Sequence, residues 1–115
     1  MIARSWSARA TPAGAAAYAD HLRAHVLPAL RSLQGYAGAQ LLQRDAIGSV
    51  ELLVVTFWRS LESIRDFAGP DLEQAVVADE AAVLLIDFDR HVRHHEVVVE
   101  DEVPVQRPLS SSLVR

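Results

Sequence analysis

Five histidines are the first residues in this chain that could do chemistry. His21 and His25 are four residues apart, so on a helix they share a face. Such a pair could begin a metal site, with His91, His94 or His95 contributing. Yet the stretch lacks an H-E-x-x-H arrangement and any carboxylate third ligand, so no metal is expected. The plainer role for His21 and His25 is to flank a buried stripe and reach toward solvent. His94 and His95 are adjacent, and on a strand they point to opposite faces. A neutral histidine in a pocket can act as a general base near pH 7, or it can simply hydrogen-bond a backbone carbonyl. His94 and His21 are the candidate bases, and Tyr18 is the candidate donor beside them.

A second set of residues could form the walls of a pocket. Trp6, Trp58, Tyr18, Phe67 and Phe88 make a small aromatic group, and large aromatics are core material first. Mixed with Arg4, Tyr18 and a histidine, they also resemble the lining of a small-molecule site, which is mostly apolar with a few polar groups. Trp58, Trp6, Phe67 and Arg4 are therefore the candidate substrate contacts. Arg44, at a strand end, reads as a surface pairing partner. Other chemistries are excluded by type. There is no cysteine, no glycine-rich phosphate loop, no dinucleotide fingerprint and no G-x-S-x-G elbow.

Placing these residues requires the elements that carry them. At 115 residues, half of them apolar, the chain suits one domain with a full core. A domain of this size buries only about two-thirds of its unfolded surface, so self-association would bury more. The formal charge of −4 and scattered arginines, with no lysine, leave no footprint for nucleic acid or an anionic membrane. The opening Met1-Ile2-Ala3-Arg4-Ser5-Trp6 lacks the apolar run of a signal peptide, and no stretch approaches the ~20 apolar residues that span a bilayer. A cytoplasmic protein is expected.

Residues 2–10 read as a first strand. Thr11-Pro12 reads as an N-cap followed by proline at the first helical position. The helix carries Tyr18, Leu22, Val26, Ala29 and Leu33 on one face, Pro28 should kink or split it, and Gly35 closes it. Residues 36–44 and 50–58 form a hairpin about the turn 45–49. The second of these strands is apolar on both parities, as a strand covered on both faces would be. Ser60 caps a helix with Leu61, Ile64 and Phe67 on its buried stripe, stopped by Gly69-Pro70. Asp71 and Asp79 could each cap a further short helix, and residues 88–99 read as the last strand. The order strand–helix–strand–strand–helix–strand is the ferredoxin-like βαββαβ arrangement of an α+β domain. It leaves one apolar sheet face bare, so a homodimer is expected. The domain should span 1–100, with 101–115 a flexible or partner-docked tail.

Several motifs resemble a known group. Tyr18-x-x-His21-Leu22, Val26-Leu27-Pro28-Ala29-Leu30 and Gly35-Tyr36-x-Gly38-Ala39 are similar to the dimeric α+β barrel superfamily. Thr56-Phe57-Trp58-Arg59-Ser60-Leu61-Glu62-Ser63-Ile64 followed by Phe67-Ala68-Gly69 resembles the strand-to-helix signature of the antibiotic biosynthesis monooxygenase-like proteins. Asp87-Phe88-Asp89 and His94-His95-Glu96-Val97 resemble the last strand of a bacterial subgroup. The resemblance implies a barrel built from two sheets, with a small-molecule pocket between sheet and helices. Trp58 matches a pocket tryptophan and Phe67 a wall position. Some members oxidise anthrone-type polyketides with dioxygen and no cofactor, whereas others cleave haem. The haem-cleaving members need a histidine on the second helical segment, and here 60–86 has none. The asparagine of both groups is also missing, since the chain contains no asparagine.

The resulting expectation is a cofactor-independent monooxygenase acting on a small aromatic or polyketide-like molecule. His94 or His21 would be the base, Trp58 and Trp6 would hold the substrate, and Tyr18 or Arg4 would steady the anion. The alternatives are a non-catalytic ligand-binding or stress-related dimer and an isomerase or cyclase on the same scaffold.

Overall fold

The first strand, β1 (Ile2–Ala10), is the centre around which the other elements assemble. In the computed structural model, which describes residues 1–103, β1 pairs antiparallel with β3 (Ser49–Trp58) on one side. On its other side it pairs with two short strands, β4 (Asp87–Phe88) and β5 (Arg93–Glu96). The outer strand β2 (Tyr36–Ala46) pairs with β3, giving one five-stranded sheet in the order β2-β3-β1-β4, with β5 beside β1. Helices join the strands in the ferredoxin-like α+β order. No helix among the described residues is long and apolar enough to cross a membrane.

The first helix starts where its chemistry requires. The Thr11 hydroxyl accepts from the Gly14 N–H at 3.0 Å, and Pro12 opens α1 (Pro12–His21). Pro28 does split the helix, through a widened π turn over Leu22–Val26 before α2 (Leu27–Arg31) resumes. The Leu27 N–H reaches back to the Leu22 carbonyl. Proline has no N–H to give and its ring would press on the carbonyl one turn back, so widening the turn just before it relieves both problems. Gly35, at φ +88°, makes the turn into β2, and its carbonyl accepts from Arg59 N–H at 2.9 Å. The second helix α3 (Leu61–Ala68) begins with a reciprocal Ser60–Ser63 cap and ends at Gly69, φ +79°.

Three expectations differ from the structure. Asp71 caps no helix; its carboxylate accepts from Glu73 N–H in a local turn. The short α4 (Asp79–Ala82) is preceded by Ala78, so Asp79 sits in the first turn rather than at the cap. The last strand is not continuous over 88–99. Asp89 N–H still bonds to Ser7 O of β1, but then Ala75 N–H bonds to Arg90 O and Val92 N–H to Glu73 O, a bridge about Gln74 and His91 that draws the chain off the ladder between β4 and β5. Beyond Val97, whose N–H meets Met1 O, β1 has no further backbone to offer, and Val98 and Val99 stand exposed. Of the expected tail, 104–115 lies outside the described residues.

The core lies between one face of the sheet and the helices. Alternate residues of β1 and β3 face it: Arg4, Trp6, Ala8 and Ala10, with Val50, Leu52, Thr56 and Trp58. Ala15, Tyr18, Leu22 and Ala81 pack on the sheet in one cluster, while Leu30 and Ile64 enclose Trp58 in another. Burying such side chains is worth ~1.5–3 kcal/mol for each large one. Leu53, Val55 and Phe57 point to the opposite face, half-buried, beside the exposed Leu42 of β2.

Candidate functional site

Between the two core clusters the packing leaves a cavity of about 230 Å³. The sheet contributes Arg4, Trp6, Val54 and Thr56, and the first helix and its π turn contribute Tyr18, His21, Leu22 and His25. Phe67 of α3 and the segment 76–78 close the remaining wall. The lining is apolar apart from one arginine, one tyrosine, one threonine and two histidines, and it includes no carboxylate.

Arg4 is the unusual member. It is 4% exposed, and no carboxylate lies within ion-pair distance of it among the described residues. Its guanidinium donates to the carbonyls of Leu72 and, at 2.9 Å, Gln74, and it stands 5.7 Å from the centre of the Phe67 ring. A third N–H lies 2.9 Å from Nε2 of His94. Arginine can only donate, so Nε2 is the acceptor and the His94 proton sits on Nδ1. Burial lowers the pKa of His94, and the nearby Arg4 charge lowers it further. Burial also lowers that of Arg4, which still remains cationic.

Tyr18 is 5% exposed, and burial raises its hydroxyl pKa to about 12. It therefore stays protonated and can only act as a donor toward an anion. Every fully buried polar side-chain atom among the described residues has a hydrogen-bond partner. The Tyr18 hydroxyl and Arg4 Nε make no such bond, so neither is fully buried, and both residues line the cavity.

The candidate residues separate into two layers. Arg4, Trp6, Tyr18, His21 and Phe67 line the cavity, with the Trp6 and Tyr18 rings 6.0 Å apart. The Trp6 indole is anchored by donating to Asp89 O at 2.7 Å. Trp58 and His94 lie behind the lining. Trp58 is fully buried, its indole donates to Thr56 Oγ1 at 2.8 Å, and it stacks on Phe67 at 5.9 Å. His25 and Thr56 join the lining although neither was a site candidate. Thr56 sits two residues from Trp58 on the same strand face, a spacing that could have indicated it. The His21 and His25 rings are 5.4 Å apart, and no three His, Cys, Asp or Glu residues converge as a metal site among the described residues.

No family profile matches the chain, and no curated protein matches it. Solved structures do. One is a protein of Bacillus cereus assigned to the antibiotic biosynthesis monooxygenases, with a TM-score of 0.65 and 12% identity over 90% of this chain and 96% of that one. A second is the haem degrader MhuD of Mycobacterium tuberculosis with two haems in its active site, with a TM-score of 0.57 and 27% identity over 89% of this chain and 100% of that one. A third is an arginine-to-serine variant of MhuD with two manganese protoporphyrin IX molecules per active site, with a TM-score of 0.58 and 24% identity over 90% and 100%. The cavity here does not fit a porphyrin. About 230 Å³ is below the usual ~300–1,000 Å³ of ligand pockets. The side chains of the lining able to bind iron, Tyr18, His21 and His25, all lie on the first helix and its π turn, and the facing wall of Phe67 and 76–78 offers none. In fold, the chain is similar to the antibiotic biosynthesis monooxygenase-like proteins.

Proposed function

We propose that this protein is a cofactor-independent monooxygenase that oxidises a small, flat aromatic ketone in the cavity beneath the sheet. The observation that carries the reading is the convergence of Arg4, Tyr18 and His21 on one mostly apolar space without a carboxylate. In such chemistry the substrate supplies the electrons. A base removes a proton from an activated methylene, and the resulting enolate reacts with dioxygen. For an anthrone, one dioxygen is consumed, the methylene becomes a carbonyl, and one water leaves.

Each part has a candidate. His21 is the base, because its ring lines the cavity, whereas Nε2 of His94 is committed to Arg4. Arg4 Nε and the Tyr18 hydroxyl donate to the enolate oxygen, the interaction that grows as charge develops. Trp6 and Phe67 flank the ring system, and Trp58 holds Phe67 from behind. His94 positions Arg4 rather than touching substrate. With labelled dioxygen, a hydroxyanthrone and a metal chelator, label is expected in the new carbonyl of the quinone. Tight binding without turnover would instead favour a ligand-binding protein of the same fold.

The functional unit is a homodimer joined through the open sheet face. Leu42, Leu53, Val55 and Phe57 form an apolar centre there, and Ala3 lies opposite Phe57 in the ladder. A contiguous apolar sheet face of this kind is stable in water only when covered.

A further inference from the structure

Arg4 puts a formal positive charge at the edge of an apolar cavity that holds no negative one. Its partners are two backbone carbonyls, a neutral imidazole and an aromatic face, and none of these cancels the charge. Glu73 acts on His94 from a distance but makes no ion pair with Arg4. Three of the five guanidinium N–H groups are used, whereas Nε and the Tyr18 hydroxyl make no hydrogen bond to the protein, and both residues line the cavity. A buried charge is costly unless it is paired. The two carbonyls hold the guanidinium in place but do not neutralise it, and the polar groups of the lining, one tyrosine, one threonine and two histidines, include no carboxylate.

We infer that the ligand enters as a pre-formed anion, an aromatic carboxylate whose oxygens meet Arg4 Nε and the Tyr18 hydroxyl while its rings lie between Trp6 and Phe67. The inference rests on reading this cavity as the substrate site, but gives the two donors to a carboxylate in place of the enolate oxygen of the reaction proposed for it. A carboxylate supplies the missing charge and accepts from both open donors. A neutral amide of the same shape supplies no charge and brings an NH₂ group that faces donors. Because Arg4 also ties down the carbonyls of Leu72 and Gln74, the same guanidinium links ligand charge to the chain leading into the closing segment 76–78.

Titration calorimetry on the full chain with naphthoate and its isostere naphthamide tests this directly. Naphthoate should bind at least ~tenfold more tightly, in keeping with a charge-assisted contact. Arg4→Met should reduce that ratio to near one, and Arg4→Lys should keep part of it. If Arg4→Met does not fold, the comparison of the two ligands on the parent protein still decides. Equal affinities in the parent, or no binding of either ligand at millimolar concentration, would overturn the inference. Preference for the acid without oxygen uptake defeats the oxygenase reading and leaves the anion site standing. Oxidation of a neutral hydroxyanthrone without preference for the acid defeats the anion site alone.

Discussion

Nη1 of Arg4 lies 2.9 Å from Nε2 of His94, directly across the β1–β5 pair. The contact fixes the histidine as a neutral acceptor, and burial together with the Arg4 charge lowers its pKa below the usual 6.5. His95 acts in the same direction and Glu73 against it.

The sign of the resulting pH dependence follows. As pH falls through about 6.5, the unfolded chain takes up this proton before the folded protein does. The stability associated with His94 is therefore complete above that pH and is lost as pH falls toward the lower folded value. Urea midpoints at pH 7.5 and 5.5 should show a drop in the parent that is smaller in His94→Gln. Equal drops in both proteins would remove the assignment.

Thr56 Oγ1 is the acceptor for the Trp58 indole inside the protein. Thr56→Val keeps the shape and leaves that N–H without a partner. The expected loss is ~1–3 kcal/mol in a urea denaturation series, with little effect from Thr56→Ser. A neutral Thr56→Val would mean the indole finds water or another acceptor.

Gly35 combines φ +88° with close approach to Ser63, whose side chain a Cβ at position 35 would overlap. Gly35→Ala should therefore lower stability by ~2 kcal/mol or more. Gly48, also at positive φ but with open space around it, should lose less on the same substitution. Equal losses at the two glycines would show that conformation alone, not the contact with Ser63, sets the effect.

The local signals in the sequence were legible because they act within a few residues. Thr11-Pro12, the Ser60 cap, Gly35 and the hairpin about Gly48 each declare themselves by turn and cap chemistry. The interruption at 90–92 was not legible, because its cause lies in the backbone of Glu73 and Ala75, in a loop whose approach only the fold defines. The apolar run 97–99 reads as strand, yet only Val97 finds a backbone partner, at Met1, where β1 begins. For the site, residue types pointed to aromatics, a histidine and Arg4. Which of them face the cavity depends on strand register. Arg4 opposite His94, and Phe67 in front of Trp58, are relationships that only the assembled fold defines.

The open sheet face makes a separate prediction. Phe57→Glu places a charge at its apolar centre while leaving the helix side of the sheet unchanged. Sedimentation should show a dimer for the parent and a self-association weaker by at least ~tenfold, or ~1.4 kcal/mol, for the variant. A parent that sediments as a monomer at micromolar concentration would contradict the proposed assembly.

Oxygen consumption with a hydroxyanthrone and a metal chelator present, comparing the parent with His21→Ala and Tyr18→Phe, tests the central claim most directly. The account predicts uptake of one dioxygen per substrate, a fall of ~100-fold or more in His21→Ala and a smaller fall in Tyr18→Phe. No uptake above the spontaneous rate, or equal rates in the parent and His21→Ala, would contradict it.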